Sequence, residues 1–332
     1  MRNLAIMNIY ATVIIFLLAG CSSNNSTMGN VPPQNPQPNI YVAGWGILES
    51  HNYPYLTAVL WKNGQTITFP DYTYAHGVAV SGNDVYVLGD KGNQSYYWKV
   101  GQPQPIMLEG SGYVITVSGK DVYVGGSDNK VSGLPCYWKD GQKISLPVNN
   151  STDYGAVSGI AVSGSDVYMS GYNVSSTGIS TAVYWKNRQQ VVLASDAFAG
   201  GIVVHGNDVY VCGNTNSDTI STAVYWKNGQ QITLTQNRNY ITTNIAVSGS
   251  DVYVAGYLKQ TDEQKGEAVY WKNGQQITLA QADAQAYGIA VFGSDVYVSG
   301  FYAERKVRDA VYWKNGEKII LGSGVAFRIA VQ

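Results

Sequence analysis

One short motif recurs along this chain and constrains its fold more than any other feature. A Trp-Lys pair occurs seven times, beginning at Trp61, Trp98, Trp138, Trp185, Trp226, Trp271 and Trp313. Each copy is accompanied by an (Asp/Asn)-(Val/Ile)-Tyr element and by a small apolar run that ends in Val. Residues 39–332 therefore hold seven copies of about 42 residues each. Repeats of this length build arrays in which each unit completes its core against its neighbours.

Each repeat contains four short runs rich in β-branched and aromatic residues, separated by turn signals. Such runs predict four strands, named A to D here. The C–D turn is Asn-Gly in four copies, which suits a two-residue type I′ hairpin; these copies begin at Asn63, Asn228, Asn273 and Asn315. Asn187 is instead followed by Arg188, for which we expect a positive φ. Four strands in every repeat of about 40 residues are typical of a β-propeller.

We predict an all-β fold, a seven-bladed β-propeller with four antiparallel strands per blade. The chain enters the repeat on strand B, at Asn39 to Val42, and leaves it on strand A, at Phe327 to Val331. The C-terminal strand A should therefore pair with the N-terminal strand B and close the ring, which leaves no unpaired first or last blade. The alternative fold is a parallel β-solenoid, which would need shorter coils and a complete first repeat.

The first twenty residues differ from the rest of the chain. Arg2 precedes a mostly apolar run from Ile9 to Leu18, and the sequence Leu-Ala-Gly-Cys, ending at Cys21, closes the stretch. The run is too short for a good transmembrane helix. It resembles a bacterial lipoprotein signal, and this resemblance implies cleavage before Cys21 and a lipid on that residue. The alternative is an uncleaved anchor helix.

Three segments follow from these observations. We predict a lipoprotein signal peptide over residues 1–20, a lipidated Cys21 with a disordered tether over residues 21–38, and the propeller over residues 39–332. The tether is rich in Ser, Asn, Gln and Pro and has little to bury. Ser22 rather than Asp follows the lipidated cysteine, and the resemblance then implies an outer-membrane lipoprotein of the cell envelope. The membrane is thus a predicted partner, reached through the lipid.

Two further cysteines lie in different repeats. Cys136 and Cys212 occupy small apolar strand positions where sister repeats have Val or Ala. We expect buried free thiols, and a disulfide between them is the alternative.

The two ends of the predicted strands differ in their connections. In an up-and-down blade, the A–B and C–D turns lie at one end, and the B–C and D–A loops lie at the other. The turns are short and nearly uniform, whereas the loops vary in length and sequence. Variable loops on a rigid frame are where binding usually occurs, so we place the functional face at the loop end.

Aromatic residues concentrate in these loops. An aromatic residue precedes strand A in every repeat: Tyr74, Tyr113, Tyr154, Phe198, Tyr240, Tyr287 and Phe327. The candidate ligand-binding residues are Trp45, Tyr74, Tyr113, Tyr154, Tyr172, Tyr240, Tyr257, Tyr287 and Phe301. Aromatic rings with a polar tip suit both sugar stacking and protein hot spots. The alternative is that these rings only pack neighbouring blades together.

Other chemistries find little support in the sequence. The net charge of −1 and a charged fraction of 13% offer no basic surface for nucleic acid. The three histidines show no ligand spacing and no Cys/His cluster exists, so we predict no metal and no cofactor. We assign no catalytic residue. Carboxylates do occur on the variable loops, and a glycosidase would need two of them about 5 to 10 Å apart.

The repeated segments Val-Tyr-Val-x-Gly, Ala-Val-Tyr-Trp-Lys-Asn-Gly and Ile-Ala-Val-Ser-Gly resemble those of bacterial β-propeller lipoproteins without an assigned activity. The resemblance covers residues 39–332 and implies the architecture alone. The first hypothesis is a monomeric envelope binding module whose aromatic face takes a glycan, a peptide or a protein. The second is a structural scaffold in envelope assembly, and the third is a glycan hydrolase or lyase on the same face.

Overall fold

The computed structural model describes residues 37–49, 54–128, 133–148, 153–217, 220–235, 239–261, 266–304 and 307–332. The predicted signal peptide, Cys21 and nearly all of the predicted tether lie outside these ranges. Within them, every regular element is a β-strand, and no helix is long and apolar enough to cross a membrane. Residues from Pro38 to Gln332 form one unit.

Five sheets each consist of four consecutive antiparallel strands. The first holds β4 (Tyr74–Ser81), β5 (Asp84–Lys91), β6 (Gln94–Lys99) and β7 (Ile106–Met107). The second holds β8 (Ser111–Ser118), β9 (Asp121–Ser127), β10 (Pro135–Lys139) and β11 (Gln142–Ser145). The third holds β12 (Tyr154–Ser163), β13 (Asp166–Val174), β14 (Ser180–Lys186) and β15 (Gln189–Ser195). The fourth holds β16 (Ala197–His205), β17 (Asp208–Asn216), β18 (Ser221–Lys227) and β19 (Gln230–Thr233). The fifth holds β20 (Tyr240–Ser248), β21 (Asp251–Leu258), β22 (Glu267–Lys272) and β23 (Gln275–Gln281).

The remaining seven strands form one sheet that joins the two ends of the chain. Three come from the N-terminus: β1 (Ile40–Glu49), β2 (Pro54–Lys62) and β3 (Gln65–Phe69). Four come from the C-terminus: β24 (Asp283–Phe292), β25 (Asp295–Ala303), β26 (Arg308–Lys314) and β27 (Glu317–Val331). The order is β24-β25-β26-β27-β1-β2-β3, so the C-terminal strand pairs with the N-terminal one. Ile40 faces Val331, and the backbones of Asn39 and Gln332 exchange hydrogen bonds of 2.7 and 3.0 Å.

The propeller fold is therefore observed, but the prediction of seven separate four-stranded blades is wrong. Five such sheets exist, and the last seven strands are continuous because β27 serves two partners. Its first half pairs with β26 and its second half pairs with β1. Asp196, at φ 51°, separates β15 from β16. The corresponding link in the last repeat contains Gly322 and Gly324, at φ 139° and 147°, and β27 continues through it without a break. Residues with a side chain rarely adopt these φ angles, so the glycine-rich link allows one continuous strand where the other repeats have two separate strands.

The core lies between neighbouring sheets. Each tryptophan of the Trp-Lys pairs is at most 6% exposed. Trp271, for example, packs with Cys212 and Tyr240, and its cluster combines residues of the fourth and fifth sheets. Another cluster joins the two halves of the seven-stranded sheet through Trp61 and Tyr297. These tryptophans thus fill the space between neighbouring sheets.

A recurring polar arrangement fixes the turn end of the sheets. Asn273 lies at φ 51°, its Oδ1 accepts the N–H of Val252 at 2.9 Å, and its Nδ2 donates to Asp251 at 2.8 Å. Lys272 forms an ion pair with the other oxygen of Asp251 at 2.8 Å, and these two partners hold the pKa of Asp251 below its usual value. The same bonds recur at Asn187, Asn228 and Asn315.

The positive φ expected for Arg188 is also confirmed, at 72°.

The inner strand of each repeat carries a β-bulge near its loop end. The pairing skips one residue, or two in β16, and the skipped residues are His76, Tyr113, Ser158, Gly200, Gly201, Thr243, Tyr287 and Phe327. A bulge leaves its residue unpaired and changes the direction of the side chain. Four of these residues are aromatic rings or histidine, so the bulges help to place rings at the loop end.

Candidate functional site

The structure separates the predicted ligand-binding residues by exposure. Tyr113 and Tyr154 are each 44% exposed. Five others are half-buried: Trp45, Tyr74, Tyr172, Tyr257 and Tyr287. Tyr240 and Phe301 are only 1% exposed. The predicted set thus divides into rings that a ligand can touch and rings that pack the protein.

The two buried rings have structural partners. The Tyr240 hydroxyl donates to Glu267 at 2.7 Å and accepts from Gln276 at 3.0 Å, and its ring meets Trp271 edge-on at 5.5 Å. Phe301 lies beneath the guanidinium of Arg308, 4.6 Å from the ring centre. We therefore leave Tyr240 and Phe301 out of the proposed contact surface.

A first group of rings extends across two inner strands of the seven-stranded sheet, the inner strand of the first four-stranded sheet and β21 of the fifth. Tyr74 stacks beside His76 at 5.9 Å, and His76 lies 6.0 Å from Phe327. Phe327 lies 5.6 Å from Tyr287, which also lies 6.1 Å from Tyr257 and 6.2 Å from Phe301. Burial raises the pKa of both Tyr257 and Tyr287, so their hydroxyls stay neutral at physiological pH.

His76 was not among the predicted site residues, and its partner explains its position. Its Nε2 contacts a carboxylate oxygen of Asp90, and Ser95 donates to the other oxygen at 2.7 Å. The Ser95 oxygen in turn accepts the N–H of Gly112 at 3.1 Å. The bulge at His76 brings its ring beside this carboxylate. The sequence does not show where the strand bulges, so the pair of His76 and Asp90 could not be predicted from it.

A second aromatic group lies around the third and fourth sheets. Tyr172 and Phe198 meet edge-to-face at 5.0 Å, and Phe198 is 42% exposed. Burial raises the pKa of Tyr172, and the neighbouring hydroxyls of Tyr113 and Tyr154 add to this effect. Tyr113, Tyr154 and Tyr172 are thus brought together with Phe198, and all of them except Tyr172 are well exposed.

Beside this group lies a cleft of about 610 Å³ between the fourth and fifth sheets. Its apolar lining includes Phe198, Ile220 and Ile241. Its polar lining includes Asn214, Asn216, Ser217, Ser221, Asn239, Thr242 and Lys259. No carboxylate occurs among the described residues of this lining. The cleft combines an aromatic platform with amide and hydroxyl groups, and we call it the Phe198 cleft.

The floor of the Phe198 cleft is held by Asn214, a buried residue of β17. Its Nδ2 donates to the carbonyl oxygen of Tyr240 at 2.5 Å, and its Oδ1 accepts the N–H of Thr242 at 3.0 Å. Asn239 accepts the N–H of Ser221 at 3.0 Å and so fixes the loop at the cleft edge. These bonds connect both walls, so the cleft has a defined width before any ligand arrives.

Across the described ranges, no three His, Cys, Asp or Glu side chains are grouped so that they could hold a metal ion. Cys136 and Cys212 are free and buried, which confirms the predicted thiols. Burial raises the pKa of Cys212 to about 11, so its thiol is a weak nucleophile.

Comparison with known proteins identifies the fold and no closer relationship. No protein-family model and no curated protein matches this sequence. The β-propeller domain of the Trilobed protease from Pyrococcus furiosus superposes with a TM-score of 0.55 at 11% identity, over 86% of this chain and 96% of that domain.

Two peptidases also superpose on most of this chain. A Mycobacterium tuberculosis puromycin-hydrolyzing peptidase gives a TM-score of 0.54 at 9% identity, over 85% of this chain and 53% of that one. Pyrococcus horikoshii acylaminoacyl peptidase gives 0.52 at 13% identity, over 86% and 51%. This chain thus spans about half the length of either peptidase. Identities this low show the β-propeller fold alone.

Proposed function

We propose that this protein is a glycan-binding module of the bacterial cell envelope, anchored by lipid on Cys21, and that it takes the glycan in the Phe198 cleft. One observation carries the proposal. An exposed phenylalanine forms one wall of a pre-formed cleft whose remaining lining consists mainly of amide, hydroxyl and aliphatic groups. The two close carboxylates that a glycosidase would need do not occur in the described lining of this cleft, and we therefore propose binding rather than cleavage.

The chemistry of a sugar ring matches this lining. One face of a pyranose presents C–H groups, which pack on an aromatic ring, and the ring edge presents hydroxyls that need donors and acceptors. Phe198 supplies the apolar platform, and Asn216 and Ser217 are exposed amide and hydroxyl groups beside it. Ligand sites generally combine an apolar surface with a few placed polar groups in this way.

Further rings extend the surface beyond one sugar unit. Tyr172 touches Phe198, and the exposed Tyr113 and Tyr154 lie near Tyr172. A chain of several sugars could therefore contact successive rings from the cleft toward the second and third sheets. We accordingly propose an oligosaccharide rather than a monosaccharide.

Binding of the purified protein to a broad glycan array tests this proposal. We expect retention of at least one oligosaccharide and its loss in Phe198→Ala. The matched control is Phe292→Ala, because Phe292 is 43% exposed and lies at the A–B turn, the opposite end of its strand. No binding to any glycan would contradict the proposal and favour an envelope protein as the partner, as expected of a scaffold. Equal losses in the two variants would place the site elsewhere.

The lipid anchor is a separate part of the proposal and rests on the sequence around Cys21. With a lipid on this residue, the protein should fractionate with membranes and incorporate labelled fatty acid. Cys21→Ser should abolish both, because the serine hydroxyl does not replace the acceptor thiol. A variant that stays in the membrane fraction would favour an uncleaved anchor instead.

A further inference from the structure

A narrow cavity of about 130 Å³ lies at the centre of the ring of inner strands. Residues of six inner strands line it, which places it along the propeller axis: β4, β8, β12, β16, β20 and β27. The lining is aliphatic or glycine except for Ser158, Asn244 and Arg328. Arg328 is the one charged side chain in the described lining, and the cavity is separate from the Phe198 cleft.

The charge of Arg328 is not balanced by any carboxylate in the described ranges. In the part of the chain that the structure describes, its hydrogen-bond partners are two backbone carbonyl oxygens, those of Tyr287 at 3.1 Å and Phe327 at 3.3 Å. Both contacts come from Nη1, while a guanidinium carries five N–H donors on three nitrogens. Burial lowers the pKa of Arg328, which stays charged at neutral pH because its ordinary value is so high.

Arg328 is half-buried. Moving a cation out of water without a counter-charge is costly, and proteins usually pair such groups. The two carbonyl acceptors belong to bulged residues and hold the guanidinium in place. The Nη2 and Nε groups then remain for a ligand. A planar guanidinium offers two parallel N–H groups whose spacing matches the two oxygens of a carboxylate.

The strands around Arg328 keep the cavity narrow. The residue that follows the bulge is glycine in three inner strands, Gly77, Gly159 and Gly288, and Gly201 is the second bulged residue of β16. A Cβ on Gly159 would approach the backbone nitrogen of Ile202 to 2.8 Å, and one on Gly201 would approach Asn244 Oδ1 to 2.5 Å. Neighbouring inner strands therefore close tightly, and the space that remains suits a few waters or one small anion.

We propose that the central cavity binds a small carboxylate, which accepts hydrogen bonds from the guanidinium of Arg328. The amide of Asn244 lies on the same lining, with its Oδ1 engaged by the N–H of Ile245 at 2.8 Å, so its Nδ2 is the second donor at this site. Binding would neutralise the charge of Arg328 and stabilise the folded ring through its innermost strands.

The test replaces chloride by acetate stepwise at constant ionic strength and pH 7.5, with thermal unfolding of the purified protein as the readout. We expect a saturable rise in Tm of about 2 to 4 °C. Arg328→Met should lose the rise, and Arg188→Met, a change at an exposed turn, should keep it. No saturable rise in the wild type, or an equal rise in Arg328→Met, would overturn the proposal.

A second measurement on the wild type avoids any variant that fails to fold. In protein labelled with ¹⁵N-arginine, acetate should shift one Nε–H resonance saturably, with the same midpoint as the rise in Tm. Arg328→Lys keeps the charge but loses the fork, so its acetate response should be weaker. Arginine resonances that do not respond to acetate would also overturn the proposal.

Discussion

Asn273→Ala should lower the free energy of unfolding by about 2 kcal/mol, although the residue lies in an exposed turn. Alanine removes the side-chain oxygen that accepts the N–H of Val252 and the amide that donates to Asp251. Alanine must also adopt φ 51°, and it lacks the polar side-chain group that helps asparagine to adopt this angle. Two separate physical effects therefore act at this one position.

The magnitude follows from adding the two effects. Leaving the partly buried Val252 N–H without its acceptor costs about 1 kcal/mol. Alanine in the left-handed region costs about 1 kcal/mol more than asparagine, which visits this region readily. Asn273→Gly should lose only the hydrogen bonds, because glycine tolerates the angle, and should cost about 1 kcal/mol.

Equilibrium unfolding in urea, followed by tryptophan fluorescence, measures both variants. We expect the stability order wild type, then Asn273→Gly, then Asn273→Ala, with similar steps between them. If alanine has no effect, the turn bonds do not stabilise the sheet. If glycine is as harmful as alanine, the backbone angle contributes nothing and the reasoning about positive φ is refuted.

Three further predictions concern strain, closure and the thiols. Arg188→Gly should stabilise the protein by about 0.5 to 1 kcal/mol in the same assay, because it relieves φ 72° at an exposed position; a loss of stability would contradict this. Gly44→Ala should sharply lower Tm, because its Cβ would lie 1.9 Å from the backbone oxygen of Val325 across the closing strands. In Gly46→Ala the Cβ would meet a side chain at 3.2 Å, so the loss of Tm should be smaller. Equal losses of Tm in the two variants would refute the role of closure. Cys136 and Cys212 should resist a thiol reagent at pH 8 until denaturant is added, because burial raises their pKa to about 12 and about 11; rapid reaction of the native protein would contradict their burial.

The sequence predicted those parts of the fold that depend on local pattern. The Asn-Gly turns follow from residues such as Asn273, whose surroundings recur in most repeats, and the pairing of the chain ends follows from the strands on which the chain enters and leaves the repeat. The number of separate sheets could not be predicted in the same way. It depends on whether the link at Gly322 and Gly324 breaks, and no local motif specifies this.

The candidate site was predicted less completely for a physical reason. Aromatic residues before strand A are visible in the sequence, but the register decides which of them are exposed. Tyr240 pairs with Leu258 and Tyr154 pairs with Val174, positions that differ by one residue within the repeat. The two rings therefore lie on opposite faces of their strands, one buried on Trp271 and the other 44% exposed. The sequence did not indicate a role for Arg328, because a single arginine in a strand has no recognisable pattern. Its position in the central cavity becomes visible only when the surrounding strands are placed.

Hydrogen–deuterium exchange with and without a glycan retained on the array locates the binding site. The glycan should slow exchange in 197–200, 213–217 and 239–242, the backbone of the Phe198 cleft, and should leave the turn at 292–295 unchanged. Slower exchange at the A–B turns alone, with none in these three segments, would contradict the proposal that the Phe198 cleft is the binding site.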